Sequence, residues 1–212
     1  MIMWTKVAIK QILVALMFAG LMMPVQAQAI ERFLAGSHYQ VVGDENAPKP
    51  KKPHVTEFFS YGCPHCEHLE PLLKTWYESK QGTIEFQRVP AQWSSYFEIL
   101  AQLYFTLEHL GVAEEHSPTV FKYIHEQRKP LRKEAQIIHF AEKQLKIPGD
   151  TFIEAWNSGE VKQGMAQASK ALRQYRVSGV PAMLVNHRYY VSVKMAGSEE
   201  AMFEVVDFLL TK

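Results

Sequence analysis

Cys63-Pro64-His65-Cys66 constrains this chain more than any other feature, because the sequence holds two cysteines and both lie in these four positions. The run Val55-Thr56-Glu57-Phe58-Phe59 precedes the quartet, and Leu69, Leu72, Leu73 and Trp76 follow it. β-Branched and aromatic residues favour a strand, and spacing by three and four favours a helix. The quartet therefore occupies a strand-to-helix turn, with Pro64 in the first helical turn, where its missing N–H costs nothing. Two sulfurs one turn apart can close reversibly into a disulfide. The first lies at the positive end of the helix dipole, which favours its thiolate. A bridge between them closes a minimal loop and constrains the unfolded chain very little, so the pair reads as a redox centre rather than a staple.

The N-terminus indicates the compartment. Residues 1–10 carry Lys6 and Lys10 and no acid, Ile12 to Met23 is almost unbroken apolar sequence, and Pro24 ends it ahead of Ala27-Gln28-Ala29. This is the pattern of a secretory signal peptide over residues 1–29, cleaved after Ala29 or Ala27. The competing reading, an uncleaved anchor, asks a short run to span a bilayer that needs about 20 residues. The mature chain is expected to be exported into an oxidising compartment, which favours structural disulfides over long loops, and this chain has none to form. Formal net charge is +1 for the whole chain. Without a basic excess, nucleic acid is not an expected partner.

Along the mature chain, His38 to Val42 reads as a short strand, Gly43 to Pro53 as a connector, and Thr83 to Val89 as a strand before Pro90. Pro71 should kink the helix that the cysteines open. From Trp93 to about Val161 the pattern is helical throughout. One helix stops at Gly111, one restarts at Ser117-Pro118 and ends at Pro130, a third closes at Pro148-Gly149, and a fourth begins at Asp150. A long helix, Val161 to Tyr175, leads to the strand Ala182 to Val185. A turn at Asn186-His187 follows, then a return strand Tyr189-Tyr190-Val191 and a final helix capped by Ser198. The expected organisation is an α/β domain from residues 30–92 and 162–212, interrupted by a helical domain at 93–161. Its two halves should share one sheet, since each alone leaves an apolar face exposed.

The segments Glu57-Phe58-Phe59-Ser60 into Cys63-Pro64-His65-Cys66, and Ala155-Trp156-Asn157-Ser158 followed by Gly179-Val180-Pro181-Ala182-Met183, resemble the DsbA branch of the thioredoxin-like proteins. The likeness runs from about His38 onward, and within the helical block it is one of pattern alone. It implies a thioredoxin-like fold with an inserted all-helical domain, and a periplasmic thiol:disulfide oxidase recharged by a quinone-linked membrane partner of the DsbB type. It also implies that Val180-Pro181 is cis, faces the dithiol and binds an extended substrate chain. The family is itself a known instance of extreme thiol acidification.

The expected catalytic residues are Cys63, Cys66, His65, Pro64 and Glu57. Cys63, at the exposed helix start, is the thiolate, with His65 adding a donor or a charge. Cys66 is the buried partner. Glu57 is either a buried acid that relays the Cys66 proton or a solvated edge residue. In the family such an acid can pair with a base on the next strand, and Gln87 and Arg88 both stand as options. No organic cofactor is expected, since the disulfide carries the two electrons. A zinc site from Cys63, Cys66 and His68 would need one helix to wrap a tetrahedron, so no metal is expected. The alternative functions are a disulfide isomerase or reductase, for which Ile30 to Ser37 is too short to form the usual dimerisation domain, and a non-catalytic peptide-binding chaperone.

Overall fold

Glu57 and the cysteine turn sit where a mixed five-stranded sheet meets its helices. The computed structural model describes residues 31–44, 48 and 50–212; the leader expected at residues 1–29 lies outside them. In chain order come β1 (Gln40–Val41), β2 (His54–Phe59), α1 (Pro64–Lys80) and β3 (Glu85–Pro90). The helices α2 (Ser95–His109), α3 (Ala113–His125), α4 (Glu134–Phe140), α5 (Gly149–Trp156) and α6 (Gly159–Gln174) follow. Then come β4 (Ala182–Val185), β5 (Tyr189–Ser192), α7 (Val193–Ala196) and α8 (Glu199–Leu210).

Strand order is β1-β5-β4-β2-β3, with β2 and β3 parallel and β4 antiparallel to both β2 and β5. The central strands β2 and β4 are buried at every residue. Alternation along β4 divides the core: Ala182 and Leu184 face the helical block, while Met183 and Val185 face α1 and α8. Val55 on β2 joins the second side, packed with Leu69, Leu73 and Trp76 of α1 and Met202, Val206 and Leu209 of α8. Glu57, two residues on, points to that same side, toward the helix that carries the cysteines.

Asn186 and His187 both take positive φ, 52° and 56°, which is the geometry of a two-residue hairpin turn. Gly111, at φ 74°, ends α2 as expected. Several boundaries differ from those read in the sequence. Helix α3 starts at Ala113 and runs through Ser117-Pro118, because Glu114 and Glu115 in its first turn complement the dipole directly after Gly111. It ends at His125, well before Pro130. The helix α1 continues through Pro71 to Lys80. The third helical stretch is divided between α4 and a π-helical turn, Ala141–Leu145, which Lys146 closes in the left-handed region at φ 61°. Strand β3 begins at Glu85 and includes Pro90, which an edge strand tolerates. The short helix α7, capped by Ser192, carries no periodicity that could have signalled it. The expected domain limit between residues 161 and 162 falls inside α6, a helix that packs on both α2 and β3.

Candidate active site

Strand β2 delivers the chain into a tight turn. The Ser60 carbonyl accepts from Cys63 N–H at 3.0 Å, and Ser60 Oγ accepts from Gly62 N–H at 3.1 Å. Cys63 is the N-cap of α1 and Pro64 its first residue. The Cys63 carbonyl takes the first helical bonds, from Cys66 N–H at 3.1 Å and Glu67 N–H at 3.2 Å. Cys63 is only 7% exposed, less open than its place at the helix start suggests, and its sulfur lies 3.5 Å from the Val180 carbonyl. The Val180–Pro181 bond is cis. His65 is exposed and Cys66 is fully buried. Both cysteines are in the dithiol form.

The two sulfurs differ electrostatically. A hydrogen bond from the Cys66 thiol holds Cys63 down to about 6, with help from the Cys66 and His65 amides and the His65 charge against the opposing effect of burial. Burial pushes Cys66 far upward, and the bond it gives to Cys63 adds to this. At pH 7 the Cys63 population is therefore about ten thiolates to one thiol. Absorbance of the dithiol protein near 240 nm should show one thiolate step with its midpoint about pH 6, missing in Cys63→Ser. A step near the free-thiol value of about 8.5 would show that the turn does not acidify Cys63.

Behind the dithiol lies a charged triad. Glu57 is 0% exposed, which removes the solvated-edge reading. The parallel register sets Arg88 directly across from it, and Arg88 Nε donates to Glu57 Oε2 at 2.6 Å. Gln87 turns to the opposite side of β3 and donates to Thr56 Oγ1. Arg88 Nη2 also donates to Glu70 on α1, and its guanidinium lies 4.1 Å above the Phe59 ring. One cation thus serves two acids. Burial would depress Arg88, but Glu57 and Glu70 hold it charged. For Glu57, burial outweighs the pull of Arg88, and repulsion from Glu70 adds to it, raising the carboxyl to about 7. Among the described residues nothing donates to its second oxygen, Oε1.

Sequence reasoning missed Glu70, Tyr61, Ser117 and His125. Glu70 stands one turn beyond Cys66, a spacing that places both on one helix face, so it could have been found. The other three could not. Tyr61 is 1% exposed, its hydroxyl lies 2.7 Å from Ser117 Oγ on α3, and His125 Nε2 donates to the Tyr61 carbonyl at 2.8 Å. These bonds tie the redox turn to the helical block.

The DSBA-like thioredoxin domain matches residues 68–204. The thiol:disulfide interchange protein DsbA of Pseudomonas aeruginosa is 31% identical over 202 residues, which is 95% of each chain. The chain belongs to the DsbA family. A second DsbA, from Azotobacter vinelandii, is 36% identical over 162 residues, covering 76% of this chain and 75% of that one. The crystal structure of Pseudomonas aeruginosa DsbA aligns with a TM-score of 0.78 at 31% identity, over 84% of this chain and 93% of that one. That of the oxidoreductase DsbA from Xylella fastidiosa gives 0.76 at 27% identity, over 84% and 96%. The DsbA architecture, a thioredoxin-like α/β fold with a helical insertion, is the one described above. The matched domain span opens two residues after Cys66, so the part played by the dithiol rests on its geometry.

Proposed function

We propose that this DsbA-family oxidoreductase donates a Cys63–Cys66 disulfide to reduced polypeptides that have been exported. The observation that carries the reading is the asymmetry of the two sulfurs, one held as thiolate at the helix start and one buried as thiol beside an acid of raised affinity for protons.

A substrate thiolate attacks Cys63 sulfur, a new S–S bond forms, and the Cys63–Cys66 bond breaks. The Cys66 sulfur leaves with the electron pair and takes up a proton, for which Glu57, fully buried, ionisable near neutrality and electrostatically felt by Cys66, is the donor that fits. A second substrate thiolate then attacks the substrate sulfur of the mixed disulfide and expels Cys63 as its stable thiolate. The substrate is oxidised by two electrons and the enzyme is left as the dithiol. Val180, whose carbonyl faces Cys63, and Pro181 form the ledge on which an extended substrate chain would lie. Pro64 and His65 shape and charge the turn.

A quinone-linked membrane oxidase of the DsbB type would restore the disulfide, and no bound organic cofactor or metal is required. Among the described residues no helix is long and apolar enough to cross a membrane. The leader read at residues 1–29 and the periplasmic setting of the family support action in the periplasm. We assign residues 93–161 as the insertion and the flanking segments as the thioredoxin-like halves, with α6 as the link.

Equilibration with glutathione over a range of pH tests this. A depressed thiol favours the dithiol protein. The advantage is complete above the free-thiol value of about 8.5, shrinks as pH falls, and is gone below about 6. Between those limits the equilibrium constant for reducing the enzyme with glutathione should rise about tenfold per pH unit, because one proton is released from Cys63. A constant independent of pH, or an enzyme no more easily reduced than an ordinary structural disulfide, would reverse the assignment to a reductase.

A further inference from the structure

Next to the redox turn stands a guanidinium with no partner for its donors among the described residues. Leu131, 1% exposed, pins the segment that follows α3, and the Arg132 N–H donates to Gln136 Oε1 at 3.0 Å. The exposed Arg132 side chain folds back so that its guanidinium carbon lies 4.4 Å above the Tyr96 ring. Tyr96 in turn lies against Gly62: a Cβ added there would come within 2.9 Å of Tyr96 Cε1 and 3.1 Å of Phe97. Gly62 immediately precedes Cys63, so one ring separates Arg132 from the turn that carries the reactive sulfur.

Stacking uses the face of a guanidinium and leaves the N–H groups at its edge available. Among the described residues no carboxylate lies within ion-pairing distance of Arg132, whereas Lys122 of the preceding helix pairs with Glu126 at 3.9 Å and Arg88 with two acids. A flexible surface arginine would give up rotamer freedom to grip a ligand. One already held over a ring gives up less, and its fork matches a carboxylate in bidentate fashion.

We infer that Arg132 is a specificity residue that recognises an Asp or Glu side chain flanking the reacting cysteine of the substrate polypeptide. This rests on the oxidase reading above. The acid on the substrate chain would reach Arg132 across Tyr96 while its neighbouring thiolate attacks Cys63. Because the site is at the rim and wet, the effect is one of preference among clients and is sensitive to salt.

The test uses two dicysteine peptides with blocked termini, identical except for Glu or Gln beside the first cysteine, and follows their oxidation by the disulfide form of the full-length protein. A neighbouring carboxylate also raises the thiol's own pKa, so each rate is divided by that peptide's rate with 2-hydroxyethyl disulfide. The normalised Glu-to-Gln ratio should be about threefold to fivefold at low ionic strength. It should fall to about one in Arg132→Gln or in high salt, and below one in Arg132→Glu. A ratio of one in the unmodified protein, or an undiminished ratio in Arg132→Gln, overturns the assignment while oxidation of the Gln peptide leaves the oxidase reading standing. If neither peptide is oxidised, both fall together.

Discussion

Cys63→Ser should abolish disulfide transfer to background, and Cys66→Ala should abolish turnover while preserving a single round of chemistry at Cys63. Serine presents no sulfur for a substrate thiolate to attack, so no mixed disulfide can form. Cys66→Ala keeps the attackable atom. Charged at Cys63 as a mixed disulfide with a small thiol, it should exchange with a one-cysteine peptide and then hold that peptide. In the parent protein Cys66 lies one turn away and acts as an internal thiol. For a well-placed group the effective molarity can be about 10⁵ M or more, so a trapped intermediate in Cys66→Ala should outlast the parent's by orders of magnitude. Electrophoresis under non-reducing conditions with acid quenching reads both results. Oxidation retained by Cys63→Ser would leave the peptide-binding chaperone as the better description. A mixed disulfide equally short-lived with and without Cys66 would remove Cys66 as the resolving thiol.

The parts of this site that were legible in the sequence are those fixed by local rules. A strand of β-branched and aromatic residues, a proline at the first helical position and two cysteines one turn apart determine the redox turn with little help from the rest of the chain. The hairpin at Asn186-His187 and the cap at Ser198 are local in the same sense, and both are present. What escaped depends on contacts between distant segments. The choice of Arg88 over Gln87 follows from strand register, which pairs Glu57 with Arg88 across β2 and β3. The low exposure of Cys63 is not signalled at a helix start, and its neighbour Val180, 117 residues away, is placed opposite the dithiol by the family resemblance alone. His125 reaches Tyr61 across 64 residues, and nothing about a histidine near the end of a helix indicates that it will hold a carbonyl of the active-site turn. Helix boundaries inside the 93–161 block differ from the expected ones because proline is not the only start signal there. Acidic residues after a glycine stop initiate a helix as effectively, and Pro118 then lies within it.

Arg88→Met should cost the protein about 3–5 kcal/mol, because it leaves Glu57 buried without its counter-ion and Glu70 without its partner. For a chain of this size the melting temperature should fall by roughly 10 °C. The pH dependence separates charge from packing, since the same substitution also removes the guanidinium stacked on Phe59. Glu57 has a folded value raised to about 7 against about 4.3 in the unfolded chain, so the folded protein retains a proton that the unfolded chain releases. Stability from this group is therefore greatest below about 4.3, declines as pH rises, and levels off above about 7. Removing Arg88 takes away the main influence holding Glu57 down, so the decline should extend to higher pH and the deficit of Arg88→Met should be larger at pH 8 than at pH 5. Glu57→Gln should flatten this part of the profile, and the double substitution Glu57→Gln/Arg88→Met should recover much of the loss. Denaturant midpoints at the two pH values for the four proteins complete the cycle. A deficit equal at both pH values, with no recovery in the double variant, would mean that Arg88 is retained for its contact with Phe59, and that the acid behind Cys66 does not hold its proton near neutrality.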